Sequence, residues 1–189
     1  GPGIRAWHIA SALSEKNDVT LVSMSEADEA LTSRFRLVHV TPGDDKAFAA
    51  WEKWADVIVF QGHALEVFPS LRTSTKHLIA DIYDPMHLEQ LEQARHLPTD
   101  QWERQVGDAS AAIEAQLSLA DYFLCASQRQ RHFYLGQLTT LGRVNPSVYA
   151  DDPHLDRLIG VVPFGMPDDD PVHGTPALRG VVEGIGPDD

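Results

Sequence analysis

The residues best suited to chemistry fall in one short stretch, Asp81-Ile82-Tyr83-Asp84-Pro85-Met86-His87. An apolar run over residues 77–83 predicts a strand, which Asp84 and Pro85 end at its carboxyl side. Open α/β sheets bind ligands at that edge. Tyr83, Asp84 and His87 are fitted to orient a polar acceptor, with Asp84 or His87 as the catalytic group that takes up its proton. Asp81 lies three residues earlier, inside the strand and on the opposite face from Asp84, where a charge is unusual without a partner. A plainer reading makes Asp84 a helix cap and His87 a surface histidine. The pattern favours function for Asp84 and the plainer role for His87.

Other candidates sit at comparable places. Gln61-Gly62-His63 follows a second strand, and Ser127, with Arg129 and Arg131, follows a third. His63, Ser127 and Arg131 are therefore candidate ligand contacts, although Ser127 is first of all a good helix N-cap and the arginines fit a solvated surface. Gly1-Pro2-Gly3-Ile4-Arg5 reads as a turn opening a helix, where free amides and the helix dipole attract an anion such as a diphosphate. A tight turn without a ligand accounts for the same residues. It is not the dinucleotide-binding glycine pattern, because position 6 is alanine and no strand precedes it. Asp44-Asp45 and Asp168-Asp169-Asp170 read as solvated loop charge, and no metal site is expected. Cys125, the one cysteine, lies in an apolar strand and reads as core.

The elements that must hold these residues alternate. Ala6, Ile9, Ala10 and Leu13 share a helical face, predicting a helix from about Arg5 to Glu15. Strands are expected at 19–24, 36–40, 56–60, 77–83, 122–126 and 158–163. Helices are expected around Phe48, Trp51 and Trp54, from about Asp100 to Ala120, and from Ser127 to about Leu141. Mostly continuous apolar strands between helices predict a Rossmann-like α/β fold, with one parallel sheet covered on both faces. Residues 1–165 form this domain. Residues 166–189, with four Pro, four Gly and five Asp, read as a linker. A glycine turn opening the first helix normally follows a central strand. The expectation is therefore a strand position ahead of Gly1 that these residues do not supply, unless Gly1-Pro2 is a remnant of cloning.

Length and charge narrow the function. The 189 residues suffice for one substantial core. A formal net charge of −13 disfavours nucleic acid and gives no overall attraction to anionic lipid, so a small-molecule partner is expected and membrane association is not indicated. No apolar run is long enough to span a bilayer, and the lone cysteine fits a reducing, cytoplasmic setting.

Three stretches in this order, Gly1-Pro2-Gly3-Ile4-Arg5-Ala6-Trp7, Ala120-Asp121-Tyr122-Phe123-Leu124-Cys125-Ala126-Ser127 and Val161-Val162-Pro163-Phe164-Gly165, resemble the N-terminal domain of GT-B glycosyltransferases, above all the retaining family 4, or group 1, enzymes. The resemblance implies two Rossmann-like domains facing across a cleft. The N-terminal one would hold a glycan, lipid-linked or small hydroxyl acceptor, and the other a nucleoside-diphosphate sugar donor. It implies that Gly1, Gly3 and Arg5 form a donor-phosphate loop, and that Tyr83-Asp84, with His87 nearby, stands where a polar residue, often histidine, contacts the reacting sugars. It further implies bacterial glycan or envelope synthesis, no metal or other cofactor, and no activity for these residues alone, since the donor half lies beyond Asp189. The alternatives are a GT-B nucleotide-sugar epimerase and a non-catalytic α/β ligand-binding domain.

Overall fold

A computed structural model describes residues 1–26, 34–165, 174, 178 and 180–186. In chain order the elements are α1 (Pro2–Leu13), β1 (Thr20–Ser23), β2 (Arg36–His39), α2 (Asp45–Trp54), β3 (Val57–Phe60), α3 (Ala64–Val67), a 3-10 turn (Pro69–Thr73), β4 (His77–Asp81), α4 (Met86–Gln93), α5 (Thr99–Leu119), β5 (Tyr122–Cys125), α6 (Gln128–Thr140), α7 (Pro146–Asp151) and β6 (Ile159–Val161). The molecule is α/β, and every strand pairing is parallel.

The sheet departs from expectation in one respect. Instead of one continuous sheet the described residues form two, β1-β2 and β3-β4-β5-β6. Within the larger one the core is dense: Ala80, Phe123, Cys125 and Ile159 from the strands and Leu117, Tyr134 and Leu138 from the helices are at most 1% exposed. Continuous apolar strands are buried on both faces there, as parallel strands under helices must be. The same kind of sequence in β3 is not, and Val57 remains 48% exposed.

Local chemistry explains the boundaries. α1 starts at Pro2, three residues earlier than the periodicity suggests, because proline's fixed φ and missing N–H suit the first helical position. Gly3 is therefore a helical residue rather than part of a turn. Asp44 caps α2 by accepting from the Ala47 amide at 3.0 Å, so one of the two acidic clusters has a structural role. The other, Asp168 to Asp170, lies outside the described residues, as does most of the expected linker. Ser127 caps α6, accepting from the Gln130 amide at 3.2 Å. The end of α5 is closed from a distance: the Arg143 guanidinium donates to the carbonyls of Leu117, Ser118 and Ala120 at 2.8, 3.0 and 2.7 Å, a cation where the helix dipole is negative. Four pieces, α3, the 3-10 turn, α4 and α7, have at most eight residues, too few for a strong periodic signal, and no range for them is among the expectations above.

β6 contains a glycine for a steric reason. A Cβ on Gly160 would lie 2.3 Å from Tyr122 Oη, whose hydroxyl donates to the Asp156 carbonyl at 3.1 Å. Gly160→Ala must displace that ring and is expected to cost about 1–3 kcal/mol, the usual range for overpacking. Urea denaturation of Gly160→Ala in the wild-type and Tyr122→Phe backgrounds checks it. The loss should be smaller where the hydroxyl is already gone.

Candidate functional site

Asp81 ends β4 and is 4% exposed, so its charge needs a partner. The partner is Arg5 of α1, itself 3% exposed. Its Nε and one terminal nitrogen donate to the two carboxylate oxygens, each at 2.8 Å, and the other terminal nitrogen donates to the Val162 carbonyl at 2.8 Å. Burial still pushes the Asp81 carboxyl above the usual carboxylate range, against the pull of the Arg5 hydrogen bonds and charge. The guanidinium also lies 5.0 Å from the ring centres of Tyr83 and Phe164, which meet edge-to-face at 5.4 Å. Arg5 thus joins α1 to the carboxyl ends of β4 and β6.

The β4–α4 connection holds the chemistry. Tyr83 is anchored by its carbonyl, which accepts from Gln130 Nε2 at 2.7 Å. Asp84 follows, and its Oδ1 is buried without a hydrogen-bond partner. Tyr134 Oη and His87 Nδ1 are likewise buried and unpartnered. The Asp84 carboxylate does not cap α4, whose N-cap is Pro85 with no side-chain bond. The His87 ring stacks on Phe133 at 5.6 Å, and burial lowers its pKa, so the neutral, proton-accepting form is favoured near neutrality. Glu89, on the first turn of α4, is raised by burial and then by a hydrogen bond to Asp84 and that residue's charge. The Glu89 carboxyl therefore lies close enough to Asp84 to feel its charge. Burial raises the Tyr134 phenol further out of reach of ionisation, leaving it a neutral donor.

The other candidates are placed as follows. Pro2, between Gly1 and Gly3, accepts through its carbonyl from Gln61 Nε2 at 3.2 Å, which brings the start of α1 to the end of β3. Gly1 and Gly3 are exposed, while Arg5 of the same expected phosphate loop is turned inward onto Asp81. His63 is exposed at the start of α3, with Nδ1 3.6 Å from Glu66. Arg131 donates to the carbonyls of Ile159, at 3.1 Å, and His154, and to the Asp156 carboxylate at 3.1 Å, so it braces the approach to β6. The structure gathers Tyr83, Asp84 and His87 with Glu89 and Tyr134, and it ties Arg5 to Tyr83. It does not bring the side chains of His63 or Arg131 into that group. Glu89 and Tyr134 escape a reading of the sequence because one looks like helix surface and the other like core. The only signal for Glu89 is that it lies just over a helical turn beyond Asp84. Among the described residues no group of three or more His, Cys, Asp or Glu is placed to hold a metal, and no helix is long and apolar enough to cross a membrane.

No family model, no curated protein and no solved structure matches this chain.

Two measurements bear on the site. Removing either partner of the Arg5–Asp81 pair leaves a buried charge, so Arg5→Ala is expected to cost about 3–5 kcal/mol, whereas replacing both with apolar residues of similar volume should cost much less. Equilibrium unfolding of the single and double variants checks this. In Asp84→Asn the charge that helps raise Glu89 is gone. The Glu89 carboxyl, followed by NMR titration, should move part of the way back towards 4.5, with the share due to burial remaining.

Proposed function

We propose that this chain is the acceptor-side, Rossmann-like half of a GT-B glycosyltransferase of the retaining, family 4 type, which moves a sugar from a nucleoside-diphosphate donor to a hydroxyl acceptor. The observation that carries the reading is the unsatisfied polar group at the carboxyl edge of the parallel sheet: Asp84 Oδ1, His87 Nδ1 and Tyr134 Oη are all buried and lack partners. Buried polar atoms left unpaired are costly, and three of the six among the described residues fall at this one edge, where a ligand would supply their partners. A sugar hydroxyl both donates and accepts, so it suits a carboxylate, a neutral imidazole and a phenol together. Asp84 accepts the acceptor's hydroxyl proton. Tyr83 and Phe164, clamped by Arg5, supply apolar ring faces beside the polar cluster. The order of motifs along the chain supports the same family.

In this reading the start of α1 offers the donor phosphates backbone amides rather than a cation, because Arg5 is engaged by Asp81. The nucleotide-binding groups belong to the opposing half, so the 189 residues alone should hydrolyse neither UDP-glucose nor GDP-mannose. They should bind simple glycosides weakly. Titrating the labelled chain with methyl α-glucoside, methyl α-mannoside and methyl α-galactoside should shift amide resonances around residues 83–89 and 130–134 for at least one of them. Asp84→Ala should abolish those shifts while far-ultraviolet dichroism and the unfolding midpoint stay close to wild type. Shifts that survive the substitution, or robust donor hydrolysis, would place the site elsewhere.

A further inference from the structure

Among the described residues β1 pairs only with β2, and β3 only with β4, so the two sheets present strand edges with open backbone groups. In a parallel ladder alternate residues address opposite neighbours. The Val19 and Ser23 carbonyls accept from Arg36 and Val40 on the β2 side, and the Asp56 carbonyl accepts from His77 on the β4 side. The backbone groups of Thr20 and Val22 in β1, and of Val57 and Val59 in β3, therefore point away from the strands already paired. Between these edges lies a cavity of about 280 Å³ lined by β1, β3, the apolar face of α1 (Ala6, Ile9, Leu13) and the aromatics of α2. The apolar side chains that ought to be buried here are not: Leu13 is 41% and Val59 37% exposed.

We propose that this slot seats one further parallel strand, carried by polypeptide joined to the amino group of Gly1. The direction follows from α1. Its first residue, Pro2, is held at the end of β3 by Gln61. A strand lying parallel to β3 ends at that same edge, within a residue or so of Gly1. From there α1 runs back along the slot and returns the chain to β1, the connection expected of a β-α-β unit. The seated strand completes the order β2-β1-strand-β3-β4-β5-β6, that of a doubly wound sheet with its central strand. Its length is set by its four-residue neighbours, about 13 Å of extended chain. Its chemistry is set by burial on both faces and pairing on both edges: apolar, β-branched and without proline. The proposal is independent of the glycosyl-transfer reading, since a filled slot is compatible with any chemistry at the Asp84 edge.

The test compares two forms of the whole chain, one with Lys-Val-Val-Val-Ile-Ala joined to Gly1 and one with Lys-Val-Pro-Val-Pro-Ala. Hydrogen exchange read by mass spectrometry on segments 18–24 and 55–61, the urea midpoint and the solution mass are measured on both. The first form should be monomeric, exchange those segments at least about tenfold more slowly and unfold at higher urea than the second. Cooperative unfolding of the first form alone is the same result in stronger degree. Equal exchange and equal midpoints in the two forms would overturn the proposal. So would protection already present without the extension and lost on dilution, which would assign the slot to a second copy of the chain.

Discussion

The structure depends on a carboxylate that cannot be buried alone. Asp81 stands at the end of β4, one of the two inner strands of the larger sheet, among residues that exclude water. An isolated charge there would cost more than a domain of this size can absorb. Arg5 meets it in bidentate geometry from 76 residues away, and the remaining guanidinium nitrogen is taken by Val162. The position of α1 follows, because the pairing works only if the start of that helix lies over the ends of β4 and β6. The packing of Tyr83 and Phe164 against the guanidinium follows as well, and with it the apolar wall beside Asp84. The same pairing withdraws from solvent the one cation that the first turn of α1 would otherwise offer to a phosphate.

Around that fixed point, long polar side chains serve mainly to complete the backbone. Asp121 accepts from the Leu78 amide, Gln116 donates to the Gly62 carbonyl, Gln130 bridges the Ala126 amide and the Tyr83 carbonyl, and Arg131 and Arg143 close loop and helix ends. Beside these, six buried side-chain atoms among the described residues lack partners, and three of them, on Asp84, His87 and Tyr134, belong to the connection into α4, to α4 and to α6, where His87 stacks on Phe133. They lie within a few residues of one another or on facing helices, and a ligand with hydroxyl groups would complete them. The division between bonds that finish the fold and bonds left for something else is what makes this edge the site.

The two halves of the sheet differ in completeness for a related reason. In the larger sheet β4 and β5 have a paired strand on either side, and Leu78, Ala80, Phe123 and Cys125 are buried there. On the other flank, β1 and β2 form a two-stranded ribbon, too small to be stable without packing against something else. Its attachment runs through α1 and through the half-buried Val22, which packs on the main core. The apolar face of α1 lines the cavity between β1 and β3.

Periodicity alone determined the kind of protein this is. Apolar runs of strand length between helical repeats specify parallel α/β structure, because only strands buried on both faces need such sequences. The positions of all six strands and of the four longest helices, apart from the start of α1, were legible to within a few residues. So were Ser127 as a cap, the burial of Cys125 and the placing of Asp84 at a strand end, all consequences of neighbours in sequence. What only the tertiary structure decided involves partners far apart in the chain. Arg5 reads as surface cation and Asp81 as an anomaly until folding joins them. Glu89 reads as helix surface and Tyr134 as core, and both are so placed, but only folding brings them within reach of the Asp84 charge. The division into two sheets was equally hidden, since a strand's residues state how much burial they require but not whether a neighbour is there to provide it.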